Sequence, residues 1–105
     1  MPPMRYLRGH KNKKESEIES VVRNHALRLG LLVYKFVSPG RRGVPDRMFV
    51  NKNVVIAFLE IKALGKKPTK VQSREINLLK VRGVLAAWSD DVEFCKEFLT
   101  DFSEL

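Results

Sequence analysis

Hydrophobic positions along the chain change their period from one segment to the next. Over residues 15–29, Ile18, Val22, Ala26 and Leu29 recur at helical spacing among polar residues, which predicts an amphipathic helix stopped by Gly30. Leu31 to Val37 reads as a first strand and Arg47 to Val50 as a second. Asn51-Lys52-Asn53 supplies a hairpin turn into Val54-Val55-Ile56-Ala57-Phe58-Leu59, an unbroken apolar run rich in β-branched residues. Such a run predicts a central strand covered on both faces. Residues 69–82 return to the helical period, with Thr69 as N-cap, Gly83 as stop, and Val71, Ile76, Leu78 and Leu79 on the apolar side. Val84 to Trp88 predicts a last strand. Ser89 is placed to cap a final helix running from Asp90 to Phe102. Val92, Phe94, Cys95, Phe98, Leu99 and Phe102 give that helix more apolar surface than one buried face requires, so it is either core or an interface.

The order α-β-β-β-α-β-α predicts an α/β domain with a mixed sheet flanked by helices. With 105 residues the chain has room for one domain and a modest core. That domain is expected over 15–105, behind a Pro-containing basic arm at 1–14 that holds no acid and reads as flexible. No apolar run approaches the ~20 residues of a membrane span, so no membrane partner is expected. The N-terminus lacks a signal peptide's apolar middle region. A single cysteine, Cys95, leaves no internal disulfide and is consistent with a reducing cytoplasm. It reads as an inert core thiol. One Cys and two His make a structural zinc site unexpected.

Charge adds direction to this picture. The net charge is +8, but residues 88–105 hold six acids against Lys96 alone, and residues 1–87 hold nineteen bases against six acids. A basic body with an acidic end suits a polyanion on one side only. Arg41 and Arg42 lie between glycines, and Lys66 and Lys67 lie between Gly65 and Pro68. Both segments are loops able to approach a phosphate and are also readable as solvated loops; the Arg41–Arg42 loop favours phosphate contact because it leads directly into Asp46.

The candidate chemistry sits at the strand ends. Strand alternation puts Glu60 and Lys62 on one face and Ile61 on the other. A hairpin could bring Asp46, at the start of the second strand, beside Glu60. Two carboxylates with a lysine make a site for a hard cation such as Mg²⁺. On the residues alone, Pro45-Asp46-Arg47 also reads as a plain turn, and Glu60 and Lys62 as a solvated strand end. Gln72 falls between Ile76 and Leu79 on an apolar helix side, where an amide needs a partner. Glu15 and Glu19 lie in the first turns of the first helix, where acids commonly meet the helix dipole. His25 is nearer the apolar stripe and reads as a satisfied helix histidine.

Pro45-Asp46, thirteen residues, then Glu60-Ile61-Lys62 resembles the PD-(D/E)xK nuclease signature. With Tyr34-Lys35-Phe36, Ser38-Pro39-Gly40, Gly43-Val44, Ala63, Gly65-Lys66-Lys67-Pro68 and Gln72, the ordered set resembles the small phage-type VRR-NUC nucleases over residues 15–89. The resemblance implies a restriction-endonuclease-like fold and phosphodiester hydrolysis of DNA. It implies Mg²⁺ or Mn²⁺ held by Asp46, Glu60 and the Ile61 carbonyl, with no small-molecule cofactor. Glu15 is the favoured additional helix carboxylate, with Glu19 second. Lys62 would act on the attacking water or on the pentavalent phosphorus. Gln72 resembles a supporting glutamine of RecB-type nucleases, although Ile76 stands where that motif has Tyr. The resemblance further implies a homodimer acting on branched DNA such as four-way (Holliday) junctions, a phage origin and the bacterial cytoplasm. Rival readings are a non-catalytic basic DNA-binding module with a nuclease-like shell, and a protein-interaction domain using its acidic last helix.

Overall fold

The computed structural model describes residues 14–105. The expected basic arm therefore lies outside the described residues, apart from Lys14. Among the described residues, three helices and four strands follow in the expected order: α1 (Glu15–Arg28), β1 (Leu32–Lys35), β2 (Arg47–Val50), β3 (Ile56–Ile61), α2 (Lys70–Val81), β4 (Leu85–Ser89) and α3 (Val92–Ser103). No helix among them is long and apolar enough to cross a membrane.

The sheet order is β1-β2-β3-β4. The first three strands are antiparallel neighbours, and β4 joins β3 in parallel. A parallel pair needs a long crossover, which α2 supplies. Register sorts the side chains into two faces. One carries Phe49, Ala57, Leu59 and Ile61, all buried against Ile18, Val22 and Ala26 of α1 and Cys95, Leu99 and Phe102 of α3. This is the core, and truncating one of its large side chains to Ala would cost about 2–5 kcal/mol.

The second face is covered unevenly. Helix α2 packs on β4 and buries Ile76 there. Over β1–β3, Leu32, Tyr34 and Ile56 stay 55, 48 and 42 % exposed. The apolar run therefore forms an interior strand, as expected, but is not sealed on both faces. It also starts later than its composition suggested. Val54 takes a positive φ of 66° in the turn, and pairing begins at Ile56.

One other expectation is corrected. The N-cap of α3 is Asp91, which accepts the Glu93 N–H at 3.0 Å; Ser89 instead accepts the Asp91 N–H at 2.9 Å and shapes the turn before it. The apolar surplus of α3 is absorbed by the core, with Val92 and Phe98 packed against it and Phe94 left 43 % exposed. The sheet also carries open apolar surface, at Leu32, Tyr34 and Ile56.

Asn51 holds the β2–β3 turn. Its buried amide oxygen accepts the N–H groups of Asn53 and Val55 at 2.8 and 3.0 Å, and its amide nitrogen donates to the Phe102 carbonyl at 3.0 Å. His25 shares a 3.0 Å hydrogen bond with Thr100, and burial holds its pKa below the ordinary imidazole value. It is satisfied within the helical layer, as expected. Cys95 is fully buried, and burial pushes its thiol up to about 11, which makes it inert as a nucleophile.

Candidate active site at the strand ends

The site forms where the β1–β2 loop, the end of β3 and the start of α2 meet. The β2–β3 ladder ends at the pair of Arg47 with Leu59, so Asp46 and Glu60 are the next residues past that pair, and the Asp46 charge acts on the Glu60 carboxyl. Asp46 is held on its other side by the residue that follows β1, where the Phe36 N–H donates to the Asp46 carbonyl at 2.7 Å. Pro45 beside it is fully buried.

Glu60 is 7 % exposed at the end of a core strand. Lys62 follows on the same face, its Nζ 3.6 Å from Glu60 Oε2. The Lys62 backbone N–H donates to the Ser89 carbonyl at 2.9 Å, so β4 fixes this strand end. Burial, and next the Asp46 charge, push the Glu60 carboxyl up to about 7, with Lys62 opposing. Burial also outweighs the ion pair in a general sense, since desolvating a carboxylate is costly even beside a cation.

Gln72 resolves the oddity of an amide on an apolar helix side. Its amide oxygen accepts the Thr69 N–H at 2.9 Å, its own N–H donates to Thr69 Oγ1 at 3.1 Å, and its amide nitrogen lies 3.4 Å from Glu60 Oε2. It is the third residue of a capping box and a neighbour of the site together.

The two candidate helix carboxylates separate. Glu19 pairs with Arg47, Oε1 to Nη2, at 3.3 Å. Glu15 has no such partner among the described residues, and its pKa is raised by burial and then by Glu19, with Lys62 lowering it and Asp46 raising it. Glu15 thus senses the site, while Glu19 is engaged beside it. Arg42, Lys66 and Lys67 are exposed on loops at this same end. The Lys66–Lys67 loop is pinned by the Gly65 N–H, which donates to Asp90 Oδ2 at 2.8 Å. Arg41 is drawn aside: its Nε and Nη2 donate to the two oxygens of Glu75 at 2.8 and 2.6 Å.

Glu75, the partner of Arg41, is not among the candidates that the sequence offers. The available signal was a charge on the Val71–Leu79 stripe, at helical spacing from both. Among the described residues, no three His, Cys, Asp or Glu side chains gather into a ready-made cage. Two carboxylates with a backbone carbonyl, the rest water, is the sparse oxygen set that suits Mg²⁺ better than zinc or calcium. A buried carboxylate whose pKa is pushed up to about 7 is also one that a divalent cation would stabilise in its ionised form.

No family model matches the chain. A solved structure described as a VRR_NUC domain superposes with a TM-score of 0.77 at 26 % identity, covering 86 % of this chain and 98 % of that one. The protein "Putative nuclease p44" of Acyrthosiphon pisum secondary endosymbiont phage 1 is 50 % identical over 62 residues, which is 59 % of this chain and 67 % of that protein. The chain belongs to the VRR-NUC family. Its mixed sheet and flanking helices are the VRR-NUC fold, and its activity class is that of a nuclease. Within this VRR-NUC domain, Asp46, Glu60, Lys62 and Gln72 converge, Glu15 lies in electrostatic reach, and the basic loops border them.

Proposed function

We propose that the protein is a divalent-metal-dependent DNA endonuclease, acting as a homodimer on branched DNA such as four-way junctions. The observation that carries the metal-dependent reading is the apposition of Asp46 and Glu60 with Lys62 Nζ 3.6 Å from Glu60. Asp46, Glu60 and the Ile61 carbonyl would hold Mg²⁺ or Mn²⁺, with Glu15 completing the set through water. When bound, the cation would supply Lewis-acid activation of water and neutralise charge at phosphorus. Lys62 offers its ammonium to the charge that develops as water adds to phosphorus and the P–O bond to the leaving oxygen breaks. Gln72 keeps Glu60 oriented. Arg42, Lys66 and Lys67 grip the DNA backbone, which supplies most of the affinity, while the Arg41 guanidinium is engaged with Glu75.

The dimer rests on two supports. Each chain has one candidate metal site, and cutting two strands needs two. The Leu32, Tyr34 and Ile56 face of the sheet offers an exposed apolar surface that a second copy would cover.

Cleavage of junction, linear duplex and plasmid DNA in Mg²⁺, Mn²⁺, Ca²⁺ and EDTA tests this reading. Cleavage is expected in Mg²⁺ and Mn²⁺, binding without cleavage in Ca²⁺, and neither cutting nor nicking by Asp46→Ala or Glu60→Ala, both of which keep DNA binding. Full activity in EDTA would disprove the metal mechanism and leave the nuclease class intact. Equal rates on junction and linear duplex would remove the substrate claim alone. A monomer in sedimentation at micromolar concentration, with and without DNA, would remove the dimer.

A further inference from the structure

Glu60 and Glu75 are the two buried carboxylates among the described residues, and Glu75 takes no part in the metal reading. It lies 5 % exposed on the sheet-facing side of α2. A carboxylate there is costly unless its oxygens are satisfied. Both are satisfied by one residue, Arg41, through a bidentate fork at 2.8 and 2.6 Å. Hydrogen bonding from Arg41 holds Glu75 below the ordinary carboxylate range.

Arg41 belongs to the loop between β1 and β2, the loop that ends in Pro45-Asp46. A second contact ties the same loop to α2. Gly43 has a φ of 82°, and a Cβ built on it would stand 2.6 Å from Val71 Cγ1 and 2.8 Å from the Val71 carbonyl oxygen. The loop therefore touches the helix backbone one residue before Gln72. Two parallel hydrogen bonds fix the orientation of the loop as well as its distance, which a single lysine bond would not do. An arginine kept only for DNA phosphate would gain nothing from a buried counter-charge, which weakens its pull on a polyanion.

We propose that Glu75 is a positioning residue for the nuclease centre: through Arg41 it clamps the loop of residues 38–46 onto α2 and so sets Asp46 against Glu60 and Gln72. This rests on the metal-dependent reading above. Arg41 then acts on metal binding more than on DNA affinity.

The test compares wild-type protein with Glu75→Gln, Arg41→Lys, Arg41→Ala and the Glu75→Gln/Arg41→Lys pair. Mn²⁺ binding is measured by calorimetry without DNA, and DNA affinity is measured in Ca²⁺. Each single variant is expected to weaken Mn²⁺ binding by about tenfold, because a small displacement of one ligand is enough to do so. The pair should be no worse than either single variant, and DNA affinity should stay within about twofold, since the charge on Arg41 is already offset. Arg41→Lys keeps the charge and one bond, and carries the test if Glu75→Gln does not melt cooperatively. Unchanged Mn²⁺ binding in the variants, or loss of DNA affinity alone in Arg41→Ala, would overturn the proposal. Wild-type protein that binds no Mn²⁺ would overturn the metal reading itself, and the clamp with it.

Discussion

The amide nitrogen of Gln72 stands 3.4 Å from Oε2 of Glu60 while its amide oxygen accepts the Thr69 N–H at 2.9 Å. One side chain closes the first turn of α2 and touches the buried carboxylate of the site. Helix capping and site geometry are therefore coupled, and substitution can separate them.

Gln72→Glu keeps an oxygen for the Thr69 N–H and sets a second negative charge beside Glu60. Cleavage should fall by at least about tenfold, while the melting temperature stays near that of the wild type, because only the site is disturbed. Gln72→Ala should lose activity and also about 1 kcal/mol of stability, the usual worth of a helix cap. Thermal melts and cleavage rates on the two variants check this; equal stability loss in both would mean that the cap does not depend on the side-chain oxygen.

Lys62→Ala should slow turnover by about a hundredfold or more at saturating metal and DNA, with binding little changed, because its charge meets the transition state more than the bound substrate. Single-turnover rates together with Kd in Ca²⁺ separate the two effects. A variant failing through weak DNA affinity alone would make Lys62 a substrate-holding residue.

The Glu60 carboxyl titrates near 7 in the folded metal-free protein, above its ordinary value of 4.5. Between these values the unfolded chain has released this proton and the folded chain has kept it. Metal-free stability should therefore fall as pH rises through this window, by on the order of 3 kcal/mol in all, and level off above it. Glu60→Gln should flatten the curve and be the more stable protein at pH 8. Mn²⁺ competes with the same proton, so its affinity should be roughly tenfold weaker at pH 6 than at pH 8. Melts in EDTA across pH, and Mn²⁺ titrations at the two pH values, provide the measurements.

Gly43→Ala should be destabilising by about 1–3 kcal/mol, since an L side chain is strained at its φ and the new Cβ meets the Val71 backbone. Activity measured well below the melting temperature should fall too, because the loop that must move carries Asp46. A variant with reduced stability and full activity would show that the loop can shift without moving the site.

Element order was legible because each segment's apolar period is set by local geometry. The stripe of Ile18, Val22 and Ala26 needs no tertiary knowledge to be read as a helix face. Glu60 and Lys62 could be placed on one face for the same reason, since alternation along a strand is obligatory. Gln72 was visible as an anomaly, but its partner was not: the crossover that brings α2 back over β3 is a three-dimensional event. Arg41 illustrates the limit most plainly. Its neighbours suggested phosphate contact, and nothing local pointed to Glu75, thirty-four residues away. The exposed face of Leu32, Tyr34 and Ile56 was likewise hidden, because a continuous apolar run looks the same whether one or both of its faces are covered.

Asn51 ties the β2–β3 turn to the end of α3, and the turn's geometry depends on that tie. Residues inserted into this turn would have to leave the brace intact, so the fold is closed to growth at that end. The β1–β2 and β3–α2 connections emerge at the other end, beside Asp46 and Lys62, and are tied to α2 and to Asp90 rather than to the body of the last helix. Diversification of such a nuclease is thereby channelled: sequence drift that lengthens a loop survives where it can reach the substrate, and is purged where it cannot.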